Sequence, residues 1–148
     1  MPEGDLRFSA SELNLVLHAT EDEEKVFKSI QDVLLIPTER FSSLPSEGHY
    51  KNKITLYKAT LSSQESGDLA RRVISLLNSI DKDQLLHNLH EYSDEKGNLY
   101  LRLDKQKMCQ GKVSLSENDS IRIRFKPVKR FKPSSSIEDY RGLLSSTE

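Results

Sequence analysis

Six cations and no acid fall within residues 121–133: Arg122, Arg124, Lys126, Lys129, Arg130 and Lys132. Ile121, Ile123 and Phe125 alternate with the first three of them. A period of two is the mark of a strand with one buried face, so Arg122, Arg124 and Lys126 are expected on the other. Clustered guanidinium and ammonium groups suit a polyanion. Arginine forks meet phosphate oxygens two at a time, and release of condensed counterions supplies affinity without sequence preference. RNA is the expected ligand. The alternative is that these cations are the solvated side of an amphipathic strand, or an edge guarded against aggregation. Upstream, Leu99, Leu101 and Leu103 alternate with Tyr100, Arg102 and Asp104, and Lys105 and Lys107 follow. Arg102 would join the basic face. Tyr100 shares its side and could stack on a base, or pack across strands. Glu47-Gly48-His49-Tyr50-Lys51 offers a second place for stacking, through His49 and Tyr50, or a turn that aims the next strand.

Other reactive residues argue against chemistry. Residues 21–24 read Glu-Asp-Glu-Glu and would repel phosphate at a helix start, where they serve the helix dipole instead. His18, just before them, is expected to be structural. His87 and His90 are three apart with Glu91 beside them, but a structural zinc site needs four ligands and no second pair has the spacing. No metal and no cofactor is expected. Cys109 is the only cysteine, which excludes an internal disulfide and suits a reducing cytosol. There is no phosphate-binding glycine loop, dinucleotide motif, nucleophile elbow or paired-acid arrangement, so no catalytic residue is named and the chain is not expected to be an enzyme.

The elements that must position these residues follow from periodicity. The chain has 148 residues, 35% hydrophobic and 30% charged, with a net charge of −1. That suits one domain with one core. Leu13, Leu15 and Leu17 predict a strand at about 12–19. Thr20 with Glu23 reads as a capping box opening a helix at 21–35, which stops before Pro37. Residues 37–52 read as a long loop. A strand at 53–61 follows, then a helix at 64–79 capped by Ser62 or Ser63, and a shorter helix at 82–91 capped by Asp81. Strands at 98–104, 112–116 and 120–127 complete the order β-α-β-α-α-β-β-β, with 105–111 as a helical turn. The expected fold is α+β: a two-layer sandwich, mainly antiparallel, of about five strands with helices on one face. Its open face would carry Arg102, Arg122, Arg124 and Lys126. Residues 1–10 are expected to be a leader, 11–127 the single domain, and 128–148 a basic then serine-rich tail.

Several segments in this order resemble a known family. They are His18-Ala19-Thr20-Glu21-Asp22-Glu23-Glu24-Lys25-Val26, Glu47-Gly48-His49-Tyr50, Asp94-Glu95-Lys96-Gly97-Asn98-Leu99-Tyr100-Leu101-Arg102-Leu103-Asp104-Lys105-Gln106, and Ile121-Arg122-Ile123-Arg124-Phe125-Lys126. Over residues 11–127 the chain resembles a small archaeal family described as RNA-binding and predicted to associate with the exosome, with a fold similar to large-subunit ribosomal protein five. After Lys105-Gln106 the family tends toward small and apolar residues, whereas Lys107, Met108 and Cys109 stand here. The resemblance implies a cytoplasmic role in RNA processing or degradation.

The expectation is thus a non-catalytic RNA-binding protein gripping phosphates through Arg102, Lys105, Lys107, Arg122, Arg124, Lys126, Lys129 and Arg130, with Tyr100, His49 and Tyr50 against bases. The alternative is an adaptor docking on an acidic partner such as the exosome or a ribosomal component. No run of about 18 apolar residues is present, so no membrane span is expected.

Overall fold

The computed structural model describes residues 8–47, 53–116 and 118–128. Strand β1 spans Phe8–His18, helix α1 Glu23–Leu34, β2 Ser42–Glu47, β3 Lys53–Leu61, α2 Ser63–Leu76, α3 Ser79–His87, β4 Leu99–Asp104, α4 Lys105–Met108 and β5 Ser120–Pro127. The five strands form one antiparallel sheet in the order β2-β3-β1-β5-β4.

Alternation decides which face is covered. Leu13, Leu15, Leu17, Ala59, Leu61, Leu99, Leu101, Leu103, Ile121, Ile123 and Phe125 are buried on one side of the sheet. Val26, Phe27, Ile30 and Leu34 of α1 and Leu69, Ala70, Val73 and Ile74 of α2 bury the stripes that lie against them. Each helix recurs at three to four residues and so presents one apolar side. A polar pair sits inside this layer: Ser11 and Ser66 hydroxyls lie 2.7 Å apart, both fully buried, tying β1 to α2. The architecture is the expected α+β sandwich with an open sheet face.

Several elements differ from the sequence reading. Strand β1 begins at Phe8, four residues before the expected start. The loop of 37–52 holds a 3-10 turn at Thr38–Arg40 and the strand β2. Conversely, 112–116 is no ladder strand. It makes isolated bridges, Leu77 with Val113 and Leu103 with Leu115. Helix α1 is capped by Asp22, which accepts from the Lys25 N–H, and not by Thr20. Helix α3 is capped by Asn78, so Asp81 lies in its first turn and its carboxylate accepts from the Leu115 N–H at 2.9 Å and the Ser114 hydroxyl at 3.1 Å. That contact helps hold 114–116 along the outer edge of β4, where the Ser116 N–H donates to the Arg102 carbonyl. The edge is thereby occupied.

Candidate nucleic-acid interface

The open face reads off the register. Tyr100 on β4 is opposite Arg124 on β5, which is opposite Glu12 on β1, which is opposite Thr60 on β3. The next row runs Arg102, Arg122, Asn14, Lys58, Ser42. Lys126 continues the β5 row beside Ala10. The structure therefore brings Tyr100, Arg102, Arg122, Arg124 and Lys126 to one surface, as alternation requires.

Arg102 and Arg122 face each other directly across two strands, both exposed. Neither has an acidic partner among the described residues. Like charges directly opposite are destabilising. Arg124 and Lys58 differ: Arg124 Nη2 lies 3.0 Å and Lys58 Nζ 3.6 Å from the carboxylate of Glu12. The stretch 121–133 holds no acid along the chain, yet β1 inserts one beside it. Arg124 Nε is buried without a hydrogen-bond acceptor among the described residues.

Tyr100 is 39% exposed and its hydroxyl donates to Asp94 Oδ2 at 2.8 Å. Asp94 also accepts from the Lys96 and Asn98 backbone N–H groups and the Asn98 amide. Burial alone would raise the Asp94 carboxyl; the bonds from Tyr100 and Asn98 outweigh it and hold it below the usual carboxylate value. Gly97 takes φ +86°, which this turn needs and a side chain resists. The turn thus fixes the ring of Tyr100 at the edge of a pocket of about 600 Å³ lined by Glu12, Asn14, Tyr92, Arg102, Arg122 and Arg124 among others.

Lys105 is not on this surface. Its side chain is fully buried, and Nζ lies 2.6 Å from the Val16 carbonyl, 3.0 Å from Glu21 Oε1 and 2.9 Å from Asp119 Oδ2. The ladder between β1 and β5 ends at Asn14–Arg122, and the ammonium binds the strand just beyond. Burial raises the Glu21 carboxyl, but the His18 N–H and Lys105 donate to it and bring it below its ordinary value. His18 thus serves the turn into α1 through its backbone. Lys107 is exposed on α4, off the sheet; α4 packs against α1. His49, Tyr50, Lys129 and Arg130 lie outside the described residues. His87 Nδ1 donates to the Asp83 carbonyl at 2.8 Å, and no group of three metal-ligating side chains occurs among the described residues. Sequence reasoning missed Lys58, Glu12 and Asn14. Their places on the polar side of β3 and β1 follow from alternation, but not their adjacency to β5, which needs the strand order.

Comparison with known proteins supplies a family. A family model described as RNA binding matches residues 12–127. An RNA-binding protein of Pyrococcus abyssi is 33% identical over 136 residues, covering 86% of this chain and 86% of its own length. A solved DUF54 protein of Methanothermobacter thermautotrophicus is similar with a TM-score of 0.76 at 27% identity, over 95% of this chain and 99% of that one. Another, from Archaeglobus fulgidus, gives 0.78 at 29% identity, over 92% and 99%. No described helix is long and apolar enough to cross a membrane.

Proposed function

The chain belongs to this RNA-binding family, and from that premise we propose that it grips single-stranded RNA on the open face of its sheet, without catalysis. The observation that carries the reading is the Arg102–Arg122 pair, set directly opposite each other with no acid between them. A phosphate shared by the two guanidinium groups turns their repulsion into two charge-assisted contacts. Arg124, Lys126 and Lys58 extend the cationic surface, and Tyr100 offers a ring to a base. Lys105 leaves the proposed contact set because its ammonium is buried and engaged. Lys107 is a rim cation at most. Lys129 and Arg130 follow β5 in sequence, and His49 and Tyr50 fall between β2 and β3. These four stay in the set on sequence grounds.

The test is binding of a labelled single-stranded RNA at several salt concentrations. With about four phosphates neutralised, log affinity falls against log salt with a slope of about −3. Arg102→Ala/Arg122→Ala should flatten that slope by about 0.7, the share of the one phosphate the pair holds. Binding that ignores salt, or a double variant that binds like wild type, would overturn the reading. The resemblance adds a finer proposal, that the RNA is bound for processing or degradation at the exosome. Nuclease-sensitive co-purification with exosome subunits is the expected result, and no co-purification under any condition counts against it.

One observation favours a second reading. Strand β2 is an edge of the sheet and its Leu44 is 64% exposed beside Leu56. An adaptor could dock a protein strand there. Partners retained after nuclease treatment, and lost in Leu44→Asp, would support it.

A further inference from the structure

A surface made only to hold phosphate has no use for a carboxylate at its centre, yet Glu12 stands there. Its place is on β1, the central strand, between Arg124 on β5 and Thr60 on β3. Asp104, the acid at the end of β4, is already occupied, as it caps α4 through the Lys107 N–H. Glu12 has two ion pairs, with Arg124 and Lys58, and its side chain is 19% exposed. Among the described residues these two cations are its side-chain partners. An ionised carboxylate has about four lone-pair sites, so acceptor capacity remains while the two cations hold the group in position. It opens into the pocket of about 600 Å³ rimmed by the tethered Tyr100. That space is ample for one nucleotide.

We propose that this pocket takes a single unstacked nucleobase and that Glu12 selects guanine. The inference rests on the RNA-binding reading and deepens it. A carboxylate presents two adjacent acceptors. Guanine is the base whose Watson–Crick edge presents two adjacent donors, the ring N1–H and the exocyclic amine. Adenine and cytosine place a ring-nitrogen acceptor beside the amine, and uracil flanks its single N–H with two carbonyls. Each of those sets a lone pair against the carboxylate. Tyr100 and Glu12 are separated by one strand, hence by about 10 Å between backbones. A purine lying over the Arg124 guanidinium fits that span, with its ring against Tyr100 and its edge at Glu12.

The experiment is competition binding at one low salt concentration. The probes are a hexamer of uridines and the same hexamer carrying one guanosine, adenosine, cytidine or inosine at its third position. The guanosine probe should bind roughly tenfold tighter than the adenosine, cytidine and uridine probes, in keeping with a bidentate base contact. Inosine, which keeps N1–H but lacks the exocyclic amine, should fall between. In Glu12→Gln one acceptor becomes a donor and the five affinities should converge. Salt-dependent binding with equal affinity for all probes overturns the guanine assignment and leaves the RNA-binding reading standing. A Glu12→Gln variant that binds every probe more tightly and keeps the wild-type ranking overturns it too, since Glu12 would then be a counter-charge alone. Failure of wild type to bind any probe removes the RNA-binding reading itself, and this inference with it.

Discussion

Lys105 ties the Val16 carbonyl, Glu21 and Asp119 to one ammonium with no exposed side-chain surface. Lys105→Met keeps most of the volume and removes the charge, leaving Glu21 and the Val16 carbonyl without their partner. It should lower stability by about 3 kcal/mol, read from urea unfolding at neutral pH. The salt slope of RNA binding should stay that of wild type; a flattened slope would return Lys105 to the interface. The Arg102–Arg122 pair should behave oppositely. Arg102→Glu replaces a repulsive cross-strand pair by an attractive one, so stability should rise by about 0.5 kcal/mol while RNA affinity falls. A variant both less stable and weaker in binding would mean that the pair is not strained in the free protein. Alternation assigns these residues to faces correctly. It says nothing about burial at a strand end, where Lys105 turns inward after β4.

At the level of elements, the signals that failed are those that competed locally. Thr20 and Asp22 both have an N–H three residues on to cap. The Glu21 carboxylate takes the His18 N–H at 2.9 Å and the Glu21 N–H donates back to the His18 carbonyl, closing a turn over 18–21 that puts the helix start at Asp22. Asp22→Ala should therefore cost about 1 kcal/mol, and Thr20→Ala close to nothing, in thermal unfolding. Equal losses would restore the Thr20 box. Helix α2 has a complete capping box between Ser62 and Glu65, and Glu65 also takes Arg40 Nη2 at 3.1 Å. The Arg40 guanidinium and then the Ser62 N–H pull the Glu65 carboxyl down to about 2. A folded value below the ordinary 4.5 means stability that is fully present above that pH and is lost as pH falls toward about 2. The urea midpoint should decline over that window in wild type, and less steeply in Glu65→Gln. Parallel declines would assign the acid sensitivity elsewhere. Strand β2, reading Ser-Ser-Leu-Pro-Ser-Glu, escaped notice because it lacks a hydrophobic period. Its position at the sheet edge is what tolerates the proline.

For the molecule as a whole, the electrostatic design is local. A net charge of −1 gives no overall attraction for a polyanion. The sheet gathers Arg102, Arg122, Arg124, Lys126 and Lys58 on one face, and α1 opens with Glu23 and Glu24 in the helical layer. A ligand bound only by the folded state stabilises it by about 2.7 kcal/mol at a hundredfold excess over Kd. Single-stranded RNA should accordingly raise the Tm at low salt, with the increment shrinking as salt rises. An increment that persists at high salt would mean that phosphate contacts are not its source.

Periodicity along the chain is enough for the fold class, the strands β1, β3, β4 and β5, the helices α1 and α2 and the face on which Tyr100, Arg102, Arg122, Arg124 and Lys126 lie. Each of these follows from a period of two or of three to four residues, which local backbone geometry imposes. Tertiary structure alone decided what meets across the strands: Arg102 against Arg122, Glu12 beside Arg124, Lys58 two strands from β5, and Lys105 inside. Those adjacencies join residues far apart in the chain, and strand order and register, which no local period encodes, set them.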